Sequence, residues 1–483
     1  MPLVEFVGQS VQDQGNAAVS TSRLINCYRE MVLGSGKTQY VINNVLGQDL
    51  LDDLGAEPVR AFGQGNGQNW AVGNNKLFVV AGDGTVTDTG QVIADDEVSV
   101  VSGNYSDVTV TAGGNYYLWD GATLSQPDTK AFTNIKSHFY FGGYTVLLED
   151  GGKRFQWSGL GDASTLDALD FSSAEKSDDN LVRGFEIQGT AVLFCETSAE
   201  MWQLSGAAGA TAFQFVTSWR RGLKAHNLAV QFDDSLFFVG NDNNVYLGVG
   251  PGAVDITTPA INSALEANTA THCFYYEDRG HKFCVLRFSD RAAWVYDVKM
   301  REWHERAEGP NNGAWQAITS MRGDTWQVGS TDGEIFSLSR SGRDLNAPLR
   351  RTMISNNYYI GSSKFRVQKI EINARVGEEM LNEAIDFVLS TRPGYTLLTR
   401  TDFALQTRSL DGDERAGFIN LSVSRDGGRT WGDAKPRSLG LGGDYEKRMV
   451  WRSVGQAQQF AIKIEMNEPA DFQVNSTAVF EVV

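Results

Sequence analysis

From about Val59 to Ser341 the chain returns to one pattern, apolar and aromatic runs of strand length broken by Gly, Asn or Asp, in units of roughly 35 to 45 residues. The clearest units begin NWAVGNNKLFVVAGDGTVTDTG at Asn69, DVTVTAGGNYYLWDGATL at Asp107 and HFYFGGYTVLLEDGGKRFQWSG at His138. Others begin at Phe185, Leu228, Cys273 and Ala314, making about seven. A small antiparallel sheet cannot bury both faces by itself, so such units stack radially about a central channel. The pattern predicts a β-propeller of six or seven blades. Two packed sandwiches are the competing architecture. Fifty-one glycines against ten prolines, with 11% aromatic residues, suit many short strands and tight turns and place the chain in the all-β class.

The texture changes after Arg343. KFRVQKIEINARV from Lys364 and QFAIKIEM from Gln459 alternate charged and apolar residues at period two, the pattern of strands with one solvated face. The chain therefore divides into a propeller over residues 56–345 and a C-terminal β-sandwich over residues 346–483. Within the latter, the polar stretch from Arg375 to Gly417 reads as a projecting loop or hairpin.

The formal charge is −17, from 59 acidic and 42 basic residues. A grip on nucleic acid through counterion release needs a dense basic surface, which this balance does not supply. MPLVEFVGQSVQDQGNAAV has no basic stretch followed by an apolar one, and no segment approaches the roughly 18 to 20 apolar residues of a membrane span. This predicts folding in a reducing cytosol. The four cysteines, Cys27, Cys195, Cys273 and Cys284, accordingly read as small buried hydrophobes.

Motifs that suggest chemistry are few. GSGKT, Gly34 to Thr38, has Met31 where a phosphate-binding loop needs its first glycine, and no amphipathic helix follows, so it reads as a surface turn. His272, Cys273, His281 and Cys284 have the residue types of a zinc site. If Glu277 to Gly280 form a hairpin turn centred between Asp278 and Arg279, however, Cys273 lies opposite Cys284 and both histidines point away. No serine stands in a Gly-x-Ser-x-Gly context, and paired acids such as Asp178 and Asp179 are commonplace in so acidic a chain. No catalytic, cofactor-binding or metal-ligating residue is assigned, and the chain is read as a non-enzyme without cofactor.

SRDGGRTW, Ser424 to Trp431, resembles the Asp-box of sialidases. Physically it is a hairpin cassette. Asp426 can accept from turn N–H groups, Gly427 and Gly428 allow positive φ, and Trp431 can pack back over the turn. With one full copy, a degraded echo in STDGE from Ser330, and a position outside the repeat, Ser424, Asp426, Gly428 and Trp431 are assigned a structural role.

Several stretches resemble the tail nozzle family of short-tailed bacteriophages, also called tail hub or packaged-DNA stabilisation proteins. They are RLINCYREM from Arg23, the run from Tyr144 to Gly206 with its Asp-Gly turn and Trp-Ser, and the segment holding SRDGGRTW followed by Arg448, Trp451 and Gly455. The resemblance covers most of the chain. It implies a structural virion protein of the tail, assembled in the host cytoplasm, in a ring of six copies below the portal and its adaptor ring. The axial channel of that ring would retain packaged double-stranded DNA, without specific binding, and conduct it during ejection. It further implies that residues 1–55 supply strands to a platform shared with the C-terminal segment, and that a tail fibre or spike, and a plug or needle protein, are partners. Negative charge suits such a lumen, and Asp95, Asp96, Glu97, Asp411, Asp413 and Glu414 are the candidate channel-facing acids. A receptor- or glycan-binding tail module is the alternative, and a propeller glycosidase the third reading.

Overall fold

The computed structural model describes residues 3–5, 7–11, 21–32, 39–96, 99–103, 107–130, 132–309, 312–345, 347–359, 363–376, 418–439, 447–467 and 472–482. The Gly34 to Thr38 turn and the polar stretch after residue 376 fall outside them, as do Glu97, Asp411, Asp413 and Glu414.

Among the described residues, seven four-stranded antiparallel units succeed one another around a ring. Their innermost strands are Ala61–Gly65, Ser99–Gly103, Ile135–Phe141, Leu181–Ile187, Ala229–Phe232, Ala270–Asp278 and Ala317–Arg322, and the last adjoins the first. The count of six or seven predicted from the periodicity resolves to seven blades. Six are continuous in sequence. The seventh takes three strands from residues 317–339 and its outermost from Gly47–Asp53, which pairs antiparallel with Glu334–Ser339 from Ser339↔Gly47 to Glu334↔Asp53. A strand from the first 55 residues thus closes the propeller by joining the end of the repeat to its beginning, instead of joining the platform.

Each gap between blades holds its own apolar core. Trp70, Val72, Val101 and Val110 fill the first gap, and Phe155, Trp157, Trp202 and Phe213 cluster between the third and fourth blades with ring centroids 4.5 to 5.8 Å apart. Between the fifth and sixth blades lies the helix Pro259–Ala267. Thr258 caps it, Pro259 starts it, and Ala260, Ile261, Ala264 and Leu265 form its buried stripe. Near the axis the inner strands converge so closely that side chains must be absent. A Cβ on Gly63 would stand 2.0 Å from the Val101 carbonyl oxygen, and one on Gly184 2.2 Å from the Phe139 ring.

The second body is a β-sandwich built from both ends of the chain. One sheet centres on Phe365–Val376, which pairs with Lys447–Ala457 on one edge and with Thr477–Val482 and Phe472–Asn475 on the other. Tyr40–Asn44, Cys27–Met31 and Leu3–Glu5 extend it. The facing sheet runs Arg23–Ile25, Arg351–Ile354, Gln459–Met466, Phe418–Ser424 and Lys435–Ser438. Ile370, Ile372, Leu421, Trp451, Ile462 and Ile464 meet between them. As period-two alternation requires, Glu371 lies on the opposite face from Ile370 and Ile372, paired with Lys369 at 3.1 Å and Arg448 at 2.6 Å.

The two bodies share a sheet. Arg23–Ile25 pairs parallel with Glu302–Arg306, the outer strand of the sixth blade, so that sandwich and blade form one ten-stranded sheet. Arg23 reinforces this with hydrogen bonds of 2.8 and 2.5 Å to the buried Glu305 carboxylate. Below it, buried Arg306 donates to both oxygens of buried Asp344, at 3.1 and 2.6 Å, and stacks 4.7 Å from the Trp315 ring.

Candidate functional site

The propeller axis is a cavity of about 440 Å³. Every inner strand contributes to its wall, with Phe62 and Val100 from the first two blades, Phe139 and Arg183 from the next two, and Val230, Tyr275 and Thr319 from the last three. This volume falls within the range of about 300–1,000 Å³ typical of small-molecule clefts. It is crowded by Phe139 lying against Gly184 and is no passage for a duplex. His138 lies beside it fully buried, its two ring nitrogens 2.9 and 3.0 Å from the hydroxyls of Thr109 and Thr111. Burial drives its pKa down to about 3, so the ring is neutral.

At the end where the inner strands begin, a smaller cavity of about 150 Å³ is lined by Arg60, Ser99, Arg183, His226, Asn227 and His272, among others. Arg60 reaches across the rim to the Asp95 carboxylate at 3.2 Å and to the carbonyls of Ala94 and Asp96 at 3.2 and 2.7 Å. Asp96 accepts from the Gly113 N–H at 3.0 Å. Two of the candidate channel acids therefore stand on the rim of the propeller's own axis, with Asp95 76% exposed and partly offset by Arg60. Sequence reasoning did not find Arg60, Arg183, His226 or Asn227. The only available signal was their position, at or just before the start of an inner strand.

The Asp-box residues come together as a hairpin cassette. Ser424 Oγ donates to Asp426 at 2.7 Å and accepts from the Gly428 N–H at 2.7 Å. Asp426 accepts from the Arg429 and Thr430 N–H groups at 3.1 and 2.9 Å, and from the Thr430 hydroxyl at 2.5 Å. These hydrogen bonds, those from Thr430 foremost, hold the Asp426 carboxyl down at about 2. Gly427 and Gly428 have φ of 79° and 86°, and Trp431 lies over the turn with Lys463 5.4 Å from its ring. The echo from Ser330 keeps the serine half of this scheme. Its Oγ accepts from the Asp332 and Glu334 N–H groups at 3.2 and 3.0 Å, matching the contacts of Ser424 with residues 426 and 428.

The cysteine and histidine pairs disperse, on a register different from the expected one. Asp278 pairs with His281, so the turn is centred between Arg279 and Gly280 and Cys284 lies opposite Tyr275, with Cys273 opposite Leu286. The reason lies in the two central residues, with φ of 48° and 74°, which give the double left-handed turn that matches strand twist. Both cysteines still enter the core between blades, where burial pushes their thiols up. His281 turns to Asp297 at 2.6 Å, and His272 turns to Asn227 on the axis. Among the described residues no group of three His, Cys, Asp or Glu side chains could hold a metal ion.

Comparison with known proteins places both bodies. A family model described as bacteriophage P22 Gp10, beta-propeller, matches residues 35–341, and one described as bacteriophage P22 Gp10, beta-sandwich, matches residues 386–480. No curated protein matches. Among solved structures, the computationally designed Ika8 protein is 15% identical, with a TM-score of 0.37, over 66% of this chain and 100% of its own. The extracellular domain of the hybrid two component system BT4673 from B. thetaiotaomicron is 12% identical, with a TM-score of 0.43, over 60% of this chain and 39% of its own. At these scores neither adds to what the family models show.

Proposed function

The chain belongs to the bacteriophage P22 Gp10 family of structural tail proteins, and from that premise we propose that it is the tail nozzle, a ring of six copies that extends the portal-adaptor channel. The observation that carries this reading beyond family membership is the crowded propeller axis. A cavity of about 440 Å³ conducts no duplex, so a DNA path has to run between copies of the chain and not through any one of them. A ring supplies that path. The sheet shared by sandwich and sixth blade suits a part that passes load from a docking platform to a peripheral propeller, because backbone hydrogen bonds, in place of a flexible linker, join the two. A net charge of −17 favours weak adhesion to DNA in transit. In this reading the platform docks on the adaptor ring, a fibre or spike and a plug or needle protein attach below, and assembly takes place in the host cytoplasm.

The test is the mass of the purified chain, alone and mixed with candidate portal-adaptor rings, by light scattering with negative-stain imaging. Six-fold rings, free or on the adaptor, are expected. A monomer that ignores every adaptor overturns the proposal and moves attention to glycan or receptor binding.

A further inference from the structure

The entry end of the propeller axis collects hydrogen-bond donors that the protein itself does not satisfy. Arg183 donates to the carbonyls of His226 and Ala229, both at 2.9 Å, and has no carboxylate partner among the described residues. Arg60 spends Nη1 on Asp95 and the Asp96 carbonyl and Nη2 on the Ala94 carbonyl, yet among the described residues its buried Nε has no acceptor, and neither does the Ser99 hydroxyl. His226, 95% buried by its 5% exposure, and His272 sit on either side of Asn227. His226 Nδ1 is 2.9 Å from Asn227 Oδ1, and Asn227 Nδ2 is 3.3 Å from His272 Nε2, while His226 Nε2 and His272 Nδ1 are both buried without partners.

The tautomers follow from this chain. With the amide as placed, His226 Nδ1–H donates to Asn227, Asn227 donates to His272 Nε2, and the His272 proton sits on the unpartnered Nδ1. With the amide turned over, the unpartnered proton sits on His226 Nε2 instead. Either way one imidazole N–H is buried with nothing among the described residues to accept it. Burial first keeps both rings neutral, aided by the Arg183 charge at His226, which is held well below the ordinary range, and by the Arg287 and then the Arg183 charge at His272, which is held at about 4. A buried donor without an acceptor is costly, and here several belong to residues lining one cavity beside a guanidinium that lacks a counter-charge among the described residues.

We propose that this cavity binds a small tetrahedral oxyanion, phosphate or sulfate, held by Arg183, the free imidazole N–H of the His226–Asn227–His272 chain, and the Ser99 hydroxyl. At about 150 Å³ the cavity lies below the roughly 300 Å³ lower end of clefts that take drug-sized ligands, so a free anion fits where a nucleotide does not. Asp95 does not compete, because its carboxylate is engaged by Arg60 on the rim. Glu186, on the wall of the larger cavity, accepts from the Gly189 N–H at 2.8 Å. The bound anion pins the starting ends of inner strands that approach the axis from different blades, and so acts as a structural ligand of the ring closure.

The experiment is calorimetric titration of the full chain with inorganic phosphate against sodium chloride of equal ionic strength, followed by a structure solved in phosphate. One saturable site per chain is expected, weakened tenfold or more in Arg183→Gln and in His272→Phe, with circular dichroism unchanged. If Arg183→Gln does not fold, His272→Phe and Ser99→Ala decide. Absence of a saturable signal beyond that of chloride, equal affinity in the folded variants, or a cavity holding waters alone overturns the proposal. So does displacement of phosphate by a short DNA duplex, which would mean that the signal arises from an open nucleic-acid surface.

Discussion

Replacing Asp344 by Asn should loosen the junction between propeller and sandwich far more than a single charge on a 483-residue protein suggests. The Arg306 and Asp344 side chains are 1% and 3% exposed, so neither charge has water to fall back on. Burial pushes the Arg306 guanidinium down, but the Asp344 charge and its hydrogen bonds more than reverse this and hold the cation. Arg306 also donates to Ala307 O at 2.5 Å and Asn26 Oδ1 at 3.3 Å, and Asn26 accepts from the Ala307 N–H at 2.9 Å. The pair therefore joins the sixth blade, the segment after the seventh and the N-terminal strands. Asp344→Asn keeps the shape and removes the counter-charge, and stranding one partner of a buried pair costs about 3–5 kcal/mol. At about 1.4 kcal/mol per tenfold, amide exchange at Glu302–Arg306 should accelerate by roughly a hundredfold to a few thousandfold. Exchange measured by mass spectrometry is the suitable assay, because a chain of two bodies has no single unfolding equilibrium. Arg306→Met with Asp344→Leu should recover most of the protection, since a packed apolar pair avoids the desolvation cost. Acceleration below fivefold in Asp344→Asn, or a double variant as exposed as the single, refutes the reasoning.

Three further outcomes are expected. Asp426→Ala removes the acceptor of four hydrogen bonds in the Asp-box turn and should cost about 1–3 kcal/mol locally, read as faster amide exchange in Phe418–Ser424 with exchange in the propeller unchanged. Because the folded carboxyl titrates at about 2, below its ordinary value, its contribution is complete above about pH 4 and fades as pH falls through 2, which NMR titration of Asp426 would follow. His138 should remain neutral at pH 5 by NMR. Its pKa of about 3 lies below the unfolded value, so the unfolded chain takes up the proton first, and stability present above about pH 6.5 declines as pH falls toward 3. A protonated His138 at pH 5 contradicts this. Gly333→Ala places a Cβ 1.8 Å from the Gly55 carbonyl oxygen at a φ of 87°, and the strained backbone alone should cost about 1–3 kcal/mol. Its effect should show as lost exchange protection in Gly47–Asp53, and an undisturbed closing strand argues against it.

Short-range physics controls the features that residue order alone makes legible. Alternation at period two in Phe365–Val376 decides which side chains face a core, and a serine followed two residues later by Asp and Gly decides a turn, at Ser424 and again in part at Ser330. Repetition of such units then leaves a propeller with a sandwich as the consistent architecture, because a lone small sheet has no way to bury its faces. Where distant segments meet depends on the folded chain. Gly47–Asp53 carries no mark that sends it to the seventh blade, because an outer strand is specified by the edge it completes and by nothing within itself. The register at Arg279–Gly280 depended on which two residues took positive φ, a choice between neighbouring turns too close in energy for residue types to settle. The donors on the axis come from inner strands more than 200 residues apart, Arg60 and His272 among them, and their convergence exists only once the ring has closed. A hydrogen-bond chain through His226, Asn227 and His272 belongs to that closure, since no spacing in the sequence brings a residue before one inner strand against a side chain of the next.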